Sequence, residues 1–161
     1  MAAQCHPTVS LAFNLDPKKI NKPLMDTLAK LKLRRESLFD QFKEDLNVTK
    51  LTKASCDLTD QQLILAWNEN DLSNHAALVG VGGFGRGELF PYSDVDILVL
   101  VSEKLSEQDL QIINPKIEAF ITRCWDLGIE IGSSVRNISQ CLEEAAADVT
   151  VRTSLLESRW I

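Results

Sequence analysis

Val79-Gly80-Val81-Gly82-Gly83-Phe84-Gly85-Arg86-Gly87-Glu88, followed by Ser93-Asp94-Val95-Asp96-Ile97, is the stretch on which the reading of this chain turns. Ala76 to Val81 is a short apolar run suited to a buried strand. Val95 to Val101 is β-branched and apolar apart from Asp96, which predicts a second strand. Between them, Gly82 to Pro91 is glycine-rich, and Pro91 forbids a helix longer than two turns. Side chains alternate across a strand, so Asp94 and Asp96 project from one face while Val95, Ile97 and Val99 face the other. From the rise per residue the two carboxylates stand about 7 Å apart along the strand, a spacing that suits one or two divalent cations. Mg²⁺ prefers hard oxygen ligands and commonly takes one or two carboxylates, completing its shell with water and substrate phosphates. Gly82 and Gly83, at a strand end, let backbone N–H groups approach phosphate oxygens with no Cβ in the way. Arg86 and Ser93 are candidate further donors to the same phosphates.

Each half has a plainer reading: Asp-x-Asp at a strand mouth as a solvated edge or turn cap, and a glycine cluster as a turn. Their conjunction is harder to read that way, because an acid opening a strand that otherwise belongs to the core carries a desolvation cost. Two competing motifs fail on context. Gly80-x-Gly82-x-x-Gly85 has the spacing of a dinucleotide fingerprint, but Pro91 interrupts the long helix that fingerprint needs, and the aspartates open the next strand rather than end it. A P-loop would need Lys-Ser or Lys-Thr after the glycines, and none follows.

Outward from this centre, apolar residues at Leu24, Leu28, Leu31, Leu38, Phe42 and Leu46 predict an amphipathic helix from Pro23 to Leu46. Asn47 to Asp57 reads as a polar loop, and Thr59 with Gln62 has capping-box form, predicting a second helix from Thr59 to about Trp67. Ser106 caps a predicted helix to about Asp126, which Pro115 should kink or divide. Gly128 to Val135 reads as a strand and Ser139 onward as helix to the end. The expectation is an α+β fold, a small mixed sheet with helices packed on it. Residues 1–75 form an N-terminal helical segment and residues 76–161 the core. Trp67, Trp125 and Trp160 read as packing anchors, and Leu155, Leu156 and Trp160 as an apolar patch exposed unless something covers it.

The chain of 161 residues carries a net charge of −6, unevenly spread. Residues 1–53 hold ten Lys and Arg against six Asp and Glu, net +4, and residues 54–161 hold seven against seventeen, net −10. So acidic a half argues against broad binding to nucleic acid or anionic membranes and suits a site that recruits a divalent cation. The longest uncharged apolar run, Ile97 to Val101, is too short to span a bilayer, and Met1 to Leu15 lacks the basic start and apolar stretch of a secretory signal. The expectation is a soluble cytoplasmic chain. Cys5, Cys56, Cys124 and Cys141 have no zinc-type spacing and read as reduced thiols.

Gly82-Gly83 followed by Asp94-Val95-Asp96-Ile97 resembles the nucleotidyltransferase superfamily pattern, Gly-Gly or Gly-Ser, a spacer, then Asp-h-Asp-h, where h is an apolar residue. More narrowly, Val81 to Leu89 with Pro91, Ser93 and Asp94 resembles the bacterial PII-protein uridylyltransferase/uridylyl-removing family. Trp125 to Gly132, Ser134-Val135-Arg136 and Asp148 to Arg159 agree with that family too. The resemblance implies a sheet of the polymerase β-like type. It also implies transfer of UMP from UTP to a tyrosine hydroxyl of the PII signalling protein with Mg²⁺, with Asp94 and Asp96 as metal ligands and Gly82 and Gly83 holding the triphosphate. The superfamily commonly adds a third carboxylate from a nearby strand; Glu130 is the candidate, and Asp148 a weaker alternative on a helix. Ser133 and Asn137 depart from the His and Thr usual in the family. The phosphohydrolase and glutamine-sensing domains of that family have no counterpart in these residues. The alternative expectation is therefore a truncated or non-catalytic relative that binds nucleotide or a protein partner without turnover.

Overall fold

The computed structural model describes residues 22–161. Two long helices, α1 (Lys22–Asp45) and α2 (Val48–Glu69), precede β1 (Ala76–Gly80), a one-turn helix α3 (Gly82–Gly85) and β2 (Val95–Val101). There follow α4 (Glu107–Asp126), β3 (Ile131–Arg136), α5 (Ile138–Ala147), α6 (Val149–Leu156) and a short β4 (Arg159–Trp160). The four strands form one sheet in the order β3-β2-β1-β4. β2 and β3 are parallel, joined by the crossover helix α4, while β1 runs antiparallel to both β2 and β4. The fold is α+β with a small mixed sheet, as expected.

The alternation read from Val95 to Val101 sorts the two faces of the sheet. Val95, Ile97 and Val99 join Leu78 in a core with Leu63, Ala66 and Trp67 of α2 and Ile113, Ile117 and Phe120 of α4. Trp67 meets Phe120 edge to face at 5.1 Å. On the opposite face Val79 and Leu98 pack with Cys141 of α5 and Leu155 of α6. The one acidic residue of β2, Asp96, lies on this second, less completely covered face.

Several boundaries differ from the sequence reading, each for a local reason. Asn47 to Asp57 is not a loop: Asn47 itself is the N-cap of α2, its side chain accepting from Lys50 N–H. Thr59 is therefore inside the helix and buried, so its capping-box spelling is incidental. Pro115 does not divide α4, which runs unbroken from a Ser106–Asp109 capping box, with the proline on its exposed side. Gly128, at φ +73°, closes α4, and β3 begins at Ile131 rather than Gly128. The chain from Ser158 is not helical, because Arg159 and Trp160 pair with Gly80 and Val79 as β4. Of the tryptophans only Trp67 is a buried anchor; Trp125 and Trp160 are exposed, as is Leu156. Cys56, Cys124 and Cys141 are free and buried, and burial pushes the Cys124 thiol up to about 12. Cys5 lies outside the described residues.

The return of β4 packs the chain end against α3. A Cβ on Gly85 would stand 2.0 Å from the Glu157 carbonyl oxygen and 2.9 Å from that of Gly80. Both neighbours are backbone and cannot swing aside. Gly85→Ala is therefore expected to destabilise the protein by about 2–3 kcal/mol, read as a lowered urea midpoint at unchanged slope.

Candidate active site

β1 and β2 pair residue by residue from Ala76↔Val101 to Gly80↔Ile97. One bond further, Val81 N–H donates to the Asp96 carbonyl at 3.0 Å. The chain then turns sharply: Gly82 has φ +58°, in the left-handed region where a side chain is strained. α3 starts at that turn, leaving the N–H groups of Gly82 and Gly83 without an intrahelical acceptor. A Cβ on Gly82 would lie 3.7 Å from Asp96 Oδ2 and 3.6 Å from Ser154 Oγ. The glycine turn thus sits directly against one of the two carboxylates.

Asp94 and Asp96 line one groove together with Gly83, Arg86 and Ser93. Burial, and then the charge of Asp94, raise the Asp96 carboxyl above its ordinary range. No Lys or Arg pairs with either carboxylate among the described residues. Two acids held close without a cation, at the mouth of a buried strand, fit a divalent ion whose remaining ligands come from water and phosphate. Room for the Asp96 carboxylate is made by Gly132, its partner across the parallel β2–β3 pairing. A Cβ there would stand 2.7 Å from Asp96 Oδ1.

The other expected residues divide. Ser93 lines the groove, and its N–H donates to the Phe90 carbonyl. Arg86 lines it too, but its guanidinium is engaged: Nη1 with Glu157 at 2.6 Å and Nε with Glu88 at 3.4 Å. Glu130 is not brought to the pair. It is exposed, lies one residue before β3, and faces a cavity it shares with Arg35, Leu38 and Phe39 of α1. The β3 residue opposite Asp96 is Gly132 and the next on that face is Ser134, so neither position supplies an acid. Asp148 is occupied as the N-cap of α6, accepting from Thr150 N–H, which lowers its carboxyl below the usual range. Among the described residues no third acid, His or Cys completes a three-ligand cluster.

Sequence reasoning missed Gly132, Ser154, Glu157 and Arg159. Gly132 carried a usable signal, since glycine within a strand marks close approach of another group. The other three come from α6, the turn after it and β4, and no local spacing ties them to residues 82–96. Arg159 reaches across the fold: Nη2 donates to Asp60 Oδ1 at 2.8 Å and Cys56 Sγ at 3.0 Å, and Nε to the Phe84 carbonyl at 3.2 Å.

Comparison with known proteins gives these residues a context. Residues 61–154 match the model of the nucleotidyltransferase domain. The chain is 49% identical over 129 residues to a bifunctional uridylyltransferase/uridylyl-removing enzyme of Ralstonia nicotianae, covering 80% of this chain and 14% of that enzyme. It is 50% identical over 133 residues to the enzyme of the same description from Burkholderia orbicola, covering 83% of this chain and 15% of the relative. With that of Burkholderia thailandensis it shares 49% over 139 residues, 86% of this chain and 16% of the relative. The chain thus spans about a seventh of the length of these relatives. No described helix is long and apolar enough to cross a membrane.

Two outcomes follow from the geometry. A carboxyl raised in the folded chain holds its proton more tightly there than in the unfolded chain. The stability it contributes is present at low pH and lost as pH rises through the raised value. At neutral pH, without metal, Asp96→Asn should therefore raise the thermal midpoint, read by calorimetry. Gly132→Ala should leave the fold intact but push the Asp96 carboxylate out of place, costing on the order of 10–100-fold in turnover.

Proposed function

Because this chain belongs to the nucleotidyltransferase domain family, we propose that it transfers UMP from UTP to a tyrosine hydroxyl of the PII signalling protein, in the cytoplasm and with Mg²⁺. The observation that carries this reading is the seating of the Gly82 turn against Asp96, which joins a phosphate cradle to a cation-binding pair. The similarity to uridylyltransferases over most of the chain supports the choice of nucleotide and acceptor. Asp94 and Asp96 would hold Mg²⁺, which when bound would supply the positive charge that favours ionisation of the attacking hydroxyl and offsets the charge on the leaving pyrophosphate. The N–H groups of Gly82 and Gly83 take the β- and γ-phosphate oxygens, with Ser93 as a further donor. Arg86, beside the same groove, adds positive charge once phosphate competes with Glu157 and Glu88 for it. The phenolic oxygen attacks the α-phosphorus in line with the bond to the β-phosphate. The O–P bond forms as the bond to pyrophosphate breaks, and the phenolic proton passes to solvent.

A second reading, binding without turnover, is favoured by two observations: Arg86 is tied to two carboxylates, and no third acid joins the pair among the described residues. Calorimetric titration of the chain with UTP, ATP, CTP and GTP, with and without Mg²⁺, tests the common premise, and transfer of labelled UMP to purified PII protein separates the two readings. The transferase reading expects Mg²⁺-dependent binding strongest for UTP. Asp94→Asn or Asp96→Asn should weaken it by about tenfold or more and reduce transfer by at least about 10²-fold. Glu130→Gln should leave both within about twofold, because Glu130 does not line the groove of Asp94 and Asp96. Unchanged affinity in both aspartate variants rejects the assignment, and binding without transfer selects the second reading.

A further inference from the structure

Asp96 is a wall of two grooves, not one. Besides the groove shared with Asp94 and the glycine turn, it borders a second that runs over the sheet face between β3 and α6. The second groove has an apolar side made by the half-buried Val81 and Leu155 over the buried Leu98, and polar groups from Ser134, Ser154 and Arg136. The Ser134 and Ser154 hydroxyls make no hydrogen bond among the described residues, and the Arg136 guanidinium is engaged by Glu144 at 2.5 Å.

We propose that this groove holds the nucleoside half of the substrate nucleotide, with the apolar side against the flat base and Ser134 and Ser154 hydrogen-bonding the ribose hydroxyls or the base edge. The inference rests on the nucleotidyltransferase reading and deepens it. A phosphate chain needs cations or clustered N–H groups; the glycine turn, against which Asp96 and Ser154 both stand, supplies the latter, while the one cation lining this groove is already paired. A wholly apolar ligand would leave two hydroxyls unsatisfied. A nucleoside has a flat apolar ring face together with neutral donors and acceptors, and it is covalently attached to the phosphorus that reacts beside Asp96. It must therefore leave the carboxylates within the length of one ribose, and this groove begins at that point.

The test compares two ligands that differ only by the nucleoside: Mg²⁺-UTP and Mg²⁺-tripolyphosphate, titrated into the wild-type chain and into Ser134→Ala, Ser154→Ala and the double variant. Each single variant should weaken UTP about five- to tenfold, the double variant more, with tripolyphosphate unchanged within about twofold. Ser134→Thr, which keeps the hydroxyl, should restore most of the affinity. Unfolding midpoints confirm that each variant is folded. Equal losses for both ligands overturn the proposal, because the serines would then act through the phosphate cradle. Unchanged UTP affinity also overturns it, and if KM for the protein acceptor rises instead, the groove belongs to the acceptor. Failure of the wild-type chain to bind either ligand rejects the transferase reading itself, and the groove assignment with it. Normal binding of both ligands by every variant removes the groove assignment alone.

Discussion

The hydrogen bond from Val81 N–H to the Asp96 carbonyl fixes the relation on which the site depends. It is the last rung of the antiparallel β1–β2 ladder, and immediately beyond it the chain leaves the sheet at Gly82. Strand register has a period of two, so a slip of one residue would turn Asp94 and Asp96 into the core and Ile97 outward. The apolar positions Val95, Ile97 and Val99, buried against α2 and α4, make that slip costly. The core on one face of β2 thereby positions the acids on the other.

The acids themselves weaken the fold. Asp96 is partly desolvated and stands beside a like charge, with no ion-paired cation among the described residues to offset it. Stability comes from elsewhere: the Trp67–Phe120 contact, the fully buried Leu63, Leu72, Ile113 and Cys124, and the second small core beneath α5 and α6. Local destabilisation at a site with a charge-matched ligand, supported by a core that does not take part in binding, is what a functional constraint on sequence looks like physically. α2 belongs to this support. Although the sequence reading groups it with the N-terminal segment, its Cys56, Leu63, Ala66 and Trp67 share one core with the sheet.

What was legible in the sequence follows from the range of the forces involved. Alternation along Val95 to Val101 and the break at Gly82 are local, so the two central strands and the turn between them were readable to within a residue. The start of α2 was not, because Lys50, Thr52 and Lys53 spell a polar stretch whose helical state is set by the Asn47 cap and by burial of Leu51 and Cys56 against other elements. The final strand was hidden for the same reason: Arg159 and Trp160 have no strand pattern of their own and are extended because β1 offers them an edge. Glu130 was misplaced by a three-residue error in where β3 begins, which was enough to move it from the strand face to a different cavity.

The residues least visible from the motif are those behind it. Glu157 engages Arg86 through its carboxylate, and its carbonyl lies so near Gly85 that no side chain fits between. Arg159 then ties the Phe84 carbonyl to Asp60 of α2 and lies over the Phe84 ring at 4.9 Å. The Arg86–Glu157 pair is largely solvated, at 48% and 39% side-chain exposure, so it contributes little to stability. Its effect is on position, since it holds a guanidinium at the rim of the groove that would otherwise sample many rotamers. The Arg159–Asp60 pair is more enclosed, at 27% and 22%, and is reinforced by hydrogen bonds to backbone and thiol. Together they clamp α3 between α2 and the returning chain, so the backbone that would meet phosphate is fixed from behind before any ligand arrives. That prior fixing removes an ordering cost from binding, which is why a glycine turn with almost no side chains can still present a defined surface.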